Sequence, residues 1–199
     1  MKISVIIPLT GKETGLKRCL DSLNAQTHKD FEIILISEEE NLPTGKNIKQ
    51  ICYHQASEML VSAFNGEWIC MVNGDECVSP FYLEKLLNMC IENNTSASIC
   101  GVQFADINTS FDAVPVPLMM HYTEVMKVEK FINDCEENDR PAFGADENKL
   151  LKKDLIYEED TIADLIDYGT ATVIAHKCEK VAVNLEPLYF FSDITLDEE

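Results

Sequence analysis

The sequence is short of positive charge. It carries 16 Lys and Arg against 35 Asp and Glu, a formal net charge of −19. Such a surface repels nucleic acid and anionic membrane, which are bound by neutralising phosphates with Lys and Arg, so no nucleic-acid partner is expected. It also repels a nucleoside diphosphate unless a divalent cation or backbone amides intervene. Long apolar runs are missing too. Nothing approaches the ~18 residues of a spanning helix, so no transmembrane segment is expected. Lys2-Ile3-Ser4-Val5-Ile6-Ile7-Pro8 is too short for the apolar part of a secretion signal. The expected location is cytoplasmic, or peripheral at a membrane through a partner. No two of the eight cysteines (Cys19, Cys52, Cys70, Cys77, Cys90, Cys100, Cys135, Cys178) form a Cys-x-x-Cys pair. No His stands near two of them at zinc-ligand spacing. Most lie in apolar runs such as Trp68-Ile69-Cys70-Met71-Val72 and read as reduced, small hydrophobes. A P-loop is also absent. Thr10-Gly11-Lys12-Glu13-Thr14-Gly15 has glycines but no Gly-Lys-Ser/Thr at the required spacing, which argues against a nucleotidyltransferase. Repeats and low-complexity segments are lacking. The 199 residues suit one domain, long enough to bury a core without metal or disulfide staples.

What is present is strand–helix alternation. Ile3 to Pro8 is a continuous β-branched run closed by proline, the pattern of a strand buried on both faces. Leu16, Leu20 and Leu23 recur at helical spacing, and the helix is predicted to stop near Gln26-Thr27-His28. Phe31 to Ile36 is a second buried strand, completing a right-handed β-α-β unit. The patterns then predict a loop at Asn41 to Gly45, a short strand at Ile48 to Tyr53, and a helix at Ala56 to Phe64 capped by Asn65-Gly66. A strand at Trp68 to Val72 follows, then a helix opened by Ser79-Pro80 and ended by Asn93-Asn94, then a strand at Ala97 to Phe104. Beyond Asp106 the pattern weakens, broken by Pro115 and Pro117. Glu124 to Cys135, Leu150 to Leu155 and Asp160 to Tyr168 read as helices; Thr170 to Ala175 and Val181 to Leu185 read as late strands. The expected class is α/β, a doubly wound, mostly parallel sheet flanked by helices. Ligands of such sheets bind outside the carboxyl ends of the strands, here near Pro8, Ser37 and Asn73.

Two acidic features bear on chemistry. Asn73-Gly74-Asp75-Glu76 is a turn between an apolar strand and a helix. Carboxylates at a strand end hold Mg²⁺ or Mn²⁺ while phosphate oxygens complete the shell, although Asn-Gly-Asp is also ordinary turn chemistry. Tyr157-Glu158-Glu159-Asp160 opens a predicted helix. Acidic residues favour that position electrostatically; the functional alternative is a general base for an acceptor hydroxyl. His28, His54, His121 and His176 are not paired at metal spacing.

The order of several segments resembles family 2 of the inverting glycosyltransferases, which have the GT-A fold. Lys2 to Pro8 is similar to that family's opening strand, and Leu20-Asp-Ser-Leu-Asn-Ala-Gln-Thr-His-Lys-Asp-Phe-Glu-Ile-Ile-Leu-Ile36 to its first helix and second strand. Gly66 to Pro80 is similar to its fourth strand and Asp-x-Asp turn. Late in the chain, Asn148-Lys149-Leu150, Glu159-Asp160 and Pro187-Leu188-Tyr189 follow the family's order. The resemblance implies one GT-A domain over 1–199, with a nucleotide-binding half at 1–104 and an acceptor-side half at 105–199. It implies a nucleotide-sugar donor, commonly a uridine diphosphate sugar, and a glycan or other hydroxyl acceptor. Donor binding falls to Pro8, Thr10, Glu38, Asn73, Gly74 and Asp75, and a Mg²⁺ or Mn²⁺ ion to Asp75 and Asn73. The catalytic base is implied at Asp160, with Glu159 orienting it.

The departures fall on donor binding. Ser37-Glu38-Glu39-Glu40 stands where the family has an Asp pair, Ala56-Ser57-Glu58 where it has Ala-Arg-Asn, Asn73 for the first Asp of the turn, and Thr10-Gly11 for an aromatic and Asn. These changes also fit a catalytically weak or inactive domain acting as a binding or regulatory module. The chain ends soon after Tyr189, where Ser192-Asp193 replaces the usual Arg. A partner, a membrane surface or a second copy in a homo-oligomer is expected to supply the acceptor side.

Overall fold

The computed structural model describes residues 1–11, 14–39, 42–106, 122–137 and 145–193. The predicted β-α-β unit forms as β1 (Ile3–Pro8), α1 (Leu16–Asn24) and β2 (Phe31–Ile36). β1 and β2 are parallel, Ile3 to Pro8 facing Phe31 to Ile36 in register. α1 buries Cys19, Leu20 and Leu23 on the sheet, each leucine worth about 1.5–3 kcal/mol when fully removed from water. β3 (Ile48–Ile51) extends the sheet beyond β2, and β4 (Trp68–Met71) joins the other side of β1, both parallel. The strand order therefore reverses between β1 and β4, where such sheets open a ligand crevice. Nine strands form one sheet among the described residues, in the order β3-β2-β1-β4-β8-β6-β9-β5, with β7 also on β9.

The later strands are β5 (Cys77–Val78), β6 (Ala97–Asp106), β7 (Glu124–Lys127), β8 (Lys149–Lys152) and β9 (Lys180–Asp193). β6 and β9 are parallel, while β8 runs antiparallel between β4 and β6. The sheet is thus mixed, more so than strand–helix alternation suggested. The division expected at 104/105 falls inside β6, and one core joins Ile3, Val5 and Leu23 to Leu150, Leu188 and Tyr189.

Several predicted elements differ for tertiary reasons. The helix expected over Ala56 to Phe64 is α2 (Tyr53–Glu58), followed by a 3₁₀ turn at Val61–Ala63. Between them Leu60 forms a β-bridge with Thr161, and Ile162 N–H donates to the Met59 carbonyl, so the backbone of this stretch is spent on a distant segment. Leu150 to Leu155 is not a helix. Lys149 to Leu151 is fully buried as strand β8, and a 3₁₀ turn covers Lys153–Leu155. Glu124 to Lys127 pairs with β9, and the helix of that region, α4, is Val128–Glu137. Ser79-Pro80 makes the turn ahead of α3 (Tyr82–Asn93), with Ser79 Oγ accepting Phe81 N–H; Asn94 ends α3 in the left-handed region at φ 50°.

Thr170 to Ala175, expected as a strand, belongs to α5 (Ile162–Lys177). α5 is broken at Gly169, whose φ of 72° and ψ of 157° are non-helical. A straight helix of that length would span about 24 Å, yet Lys177 Nζ lies 2.9 Å from the centroid of the Tyr157 ring, ahead of the helix start. The two arms therefore fold back on each other at Gly169.

One carboxylate ties three early elements together. Glu32 accepts hydrogen bonds from Ser4 Oγ at 2.7 Å, Asn65 N–H at 2.8 Å and Asn65 Nδ2 at 2.8 Å, with Lys2 Nζ at 3.5 Å. Burial pushes its pKa up, but these bonds and the Lys2 charge outweigh it and hold the carboxyl below its ordinary 4.5. A lowered carboxyl contributes stability above its unfolded pKa and loses it as pH falls. Glu32→Gln is expected to cost about 1–2 kcal/mol at pH 7, with the gap to wild type closing as pH drops below 4.5. Urea unfolding across that range checks it; a gap independent of pH would contradict it.

Candidate functional site

The turn after β4 lies at the crevice between β1 and β4. Val72 N–H donates to the Ile6 carbonyl, leaving Asn73 to Glu76 beyond the strand ends. Asn73 is exposed and Gly74 is buried. Asn73 Oδ1 accepts Asp75 N–H at 3.2 Å, closing the turn. The start of α1 is pressed onto it. Gly15 N–H donates to Asp75 Oδ1 at 2.7 Å, and a Cβ on Gly15 would lie 2.8 Å from the Asp75 carbonyl oxygen. Only a residue without a side chain allows this approach. Arg18 Nη2 donates to the same carbonyl at 3.0 Å and to Ser192 Oγ, and Ser192 Oγ also donates to the Asp75 carbonyl. α1, the turn and the end of β9 thus form one unit.

Tyr189 holds the turn from beneath. Asn73 N–H donates to its hydroxyl at 3.0 Å, and the hydroxyl donates to Glu76. Glu76 Oε2 is buried without a hydrogen-bond partner among the described residues. Burial first, then the charges of Glu147 and Asp75, push its carboxyl up to about 7, against the lowering effects of Tyr189 and Arg18. β8 brings two more acidic residues here, because it runs antiparallel to β4 and starts at β4's carboxyl end. Glu147 Oε2 accepts Asp146 N–H at 3.1 Å, and the Glu147 carbonyl accepts the Tyr82 hydroxyl at 2.6 Å. Asp146 Oδ1 accepts Ala171 N–H at 3.0 Å and caps the second arm of α5 just past Gly169. The buried Lys149 donates to Asn148 Oδ1 at 2.9 Å and to the Ala145 carbonyl, fixing the start of β8.

The other predicted positions are distributed as follows. Pro8 ends β1 opposite Ile36, at the crevice. Thr10 is exposed just beyond. Glu38 Oε1 accepts Tyr53 N–H at 2.9 Å, so its carboxylate serves the first turn of α2, and the Tyr53 hydroxyl reaches the Leu9 carbonyl at 3.1 Å. Glu58 pairs with His54 at 3.6 Å on the exposed side of α2. Lys12, Glu13 and Glu40 lie outside the described residues, as does the whole of 107–121 on the expected acceptor side. Glu159 and Asp160 are not brought to this group. β8 descends to Lys152 opposite Trp68, and Lys153 N–H donates to the Glu67 carbonyl at the amino end of β4. Asp160 follows from there; its Oδ2 accepts Tyr157 N–H at 3.1 Å and its carbonyl accepts Val61 N–H. The sequence reading missed Gly15, Arg18, Asp146 and Glu147. An acidic pair directly ahead of the buried Asn148-Lys149-Leu150 run was the available signal.

The donor set for a metal is small. Among the described residues no three His, Cys, Asp or Glu side chains gather as a metal cage. Asp75 Oδ2 takes no hydrogen bond from them, and Asn73 adds a neutral oxygen at the same turn. Such a set fits a Mg²⁺ or Mn²⁺ ion shared with substrate phosphates, and it does not fit an ion held by protein alone.

Comparison with known proteins agrees with this architecture. The family described as Glycosyl transferase family 2 matches residues 4–159. The uncharacterised glycosyltransferase EpsJ of Bacillus subtilis is 31% identical over 116 residues, 50% of this chain and 33% of its own length. EpsH of the same organism is 26% identical over 173 residues, 77% of this chain and 48% of its own. The chain therefore spans less than half the length of these curated relatives. Among solved structures, S. aureus TarS 1-349 in complex with UDP superposes with a TM-score of 0.61 at 17% identity, covering 97% of this chain and 61% of that one. The likeness to TarS shows the fold.

The raised Glu76 carboxyl has a measurable consequence in the metal-free protein. A carboxyl that titrates higher when folded costs stability as pH rises from its unfolded value of 4.5 through about 7. Glu76→Gln should be more stable than wild type above that range, by up to about 3 kcal/mol, and converge with it toward pH 4.5. Chemical denaturation at several pH values tests this; equal stability at pH 8 would show that Glu76 is not held unfavourably.

Proposed function

Because the chain belongs to glycosyl transferase family 2, we propose that it moves a sugar from a nucleotide-diphosphate donor to an acceptor hydroxyl with inversion at the anomeric carbon. One observation carries this reading. The turn bearing Asp75 stands at the β1–β4 crevice, clamped by Gly15, Arg18 and Tyr189, and among the described residues Asp75 Oδ2 receives no hydrogen bond. A uridine diphosphate donor is supported by the TarS complex with UDP. The diphosphate would bind at this turn through a Mg²⁺ or Mn²⁺ ion held by Asp75, with Asn73 as a neutral oxygen beside it. When bound, the ion supplies positive charge that offsets the leaving nucleotide.

The protein's own residues orient the reaction. Tyr189 and Arg18 fix the turn by hydrogen bonds to its backbone and to Glu76, so Asp75 needs no reorganisation when the donor arrives. Pro8, Thr10 and Glu38 border the same crevice on the base and ribose side. The acceptor must lose a proton as its oxygen attacks. The family resemblance gives this role to Asp160, with Glu159 beside it. The position of Asp160 next to Val61 favours Glu147 instead, since Glu147 is placed at the strand ends beside Glu76. A second reading, binding without turnover, is favoured by the use of Glu38 to cap α2 and by the missing charge at Asn73.

A thermal-shift titration with UDP and UDP-sugars, with and without Mn²⁺, tests the proposal. At 100 times its dissociation constant a ligand adds about 2.7 kcal/mol. The shift should need metal and vanish in Asp75→Ala. With turnover in hand, Glu147→Gln should lower kcat by about 10²–10⁴-fold and Asp160→Asn should leave it near wild type; the reverse pattern returns the base to Asp160. Absence of any metal-dependent shift at millimolar nucleotide would support the module reading.

A further inference from the structure

The segment singled out by its acidic run, Tyr157 to Asp160, is not absorbed by the strand-end site. It lines a groove of about 390 Å³ between the chain ahead of α5 and the second arm of α5. That size falls in the ~300–1,000 Å³ range of small-molecule sites. The groove exists because α5 doubles back at Gly169, which sets Tyr168, Thr172, His176 and Lys177 opposite Tyr157 and Asp160. Tyr157 is 56% exposed and Tyr168 is 54% exposed. Lys177 covers one face of the Tyr157 ring. The hydrophobic cluster beneath, with Ile156 and Ile162, includes α2 residues, whereas Asp75 is gripped by α1, which packs in a different cluster with β1. None of the residues bonded to Asp75 lines the groove.

The chemistry of these walls selects a ligand. A chain of net charge −19 is acidic over most of its surface, yet here Asp160 and Lys177 oppose each other in sign. A strongly charged ligand gains little from such a pair. Tyrosine faces attract the C–H side of a ring, while a carboxylate, an imidazole and a hydroxyl suit adjacent hydroxyl groups as acceptors and donors. An apolar ring face edged by hydroxyls describes a neutral sugar. We propose that this groove is a second glycan-binding site, stacking one sugar ring on Tyr168 with Asp160 and His176 on its hydroxyls, separate from the Asp75 crevice. The choice of a glycan rests on the transferase reading. In that setting the groove would hold a remote part of the acceptor chain and raise its local concentration at the crevice.

Saturation-transfer NMR on the full chain, with glucose, N-acetylglucosamine and chitobiose as probes, tests the site directly. Sugar ring protons should receive saturation from tyrosine protons. UDP with Mg²⁺ should not displace them, and Asp75→Ala should bind them as wild type does. Tyr168→Ala should weaken binding by about three- to tenfold, while Tyr168→Phe, which keeps the ring, should retain it. Because Tyr168 is half exposed, an unchanged melting midpoint in both variants separates lost binding from lost folding. No transfer to any of the three sugars, displacement by UDP, or equal binding by Tyr168→Ala would overturn the proposal. Sugar binding at the groove without any UDP binding would overturn the transferase reading and leave this site standing.

Discussion

The close approach of Gly15 to Asp75 is the contact on which the strand-end architecture depends. It brings the N-cap amide of α1 within hydrogen-bond distance of the Asp75 carboxylate at the turn, and it leaves no room for a side chain. Arg18 follows one turn later and binds the Asp75 carbonyl together with Ser192. Through these bonds an early helix, a middle turn and the last strand set one another's positions. Tyr189 adds a fourth tie, from the core side, through the Asn73 amide. The position of Asp75 is therefore fixed by hydrogen bonds to its carboxylate, its carbonyl and the neighbouring Asn73 amide.

Charge explains what this clamp leaves undone. Asp75 and Glu147 both act on Glu76, with Arg18 opposing them, and Asp146 precedes Glu147 in the chain. The protein relieves the repulsion in two ways. Glu76 is held in its protonated form up to about neutral pH by burial and its acidic neighbours, and Asp146 is turned onto the amides of α5. A diphosphate entering this field needs a cation of its own. In the proposed reaction a divalent metal carried in with the donor would meet that need, and the small protein donor set fits an ion shared with substrate.

The sheet's later half was hard to read for a specific reason. β8 is a four-residue strand with antiparallel neighbours on both sides, so it is buried on every face and shows no alternation. A short apolar run of that kind has no period to separate strand from helix. Thr170 to Ala175 erred the other way. Its β-branched residues favour a strand, but the Asp146 cap and the burial of Thr170 and Ile174 impose a helix. Propensity is a weak prior against contacts of that kind. Asp160 was placed by its order in the chain, and order does not reveal that β8 carries the chain away from the crevice before Asp160 is reached.

The sequence alone determined the first β-α-β unit, the buried strands at Ile3 to Pro8, Phe31 to Ile36 and Trp68 to Val72, the family likeness and the acidic turn at Asn73 to Glu76. Each rests on local periodicity or on turn residues, which act over a few positions and survive any tertiary context. Tertiary structure decided the rest: the insertion of β8, the doubling back of α5 at Gly169, the clamp on Asp75, and which carboxylates share its crevice. Those depend on contacts between residues as far apart as Arg18 and Ser192, and separation of that kind leaves no local pattern in the chain.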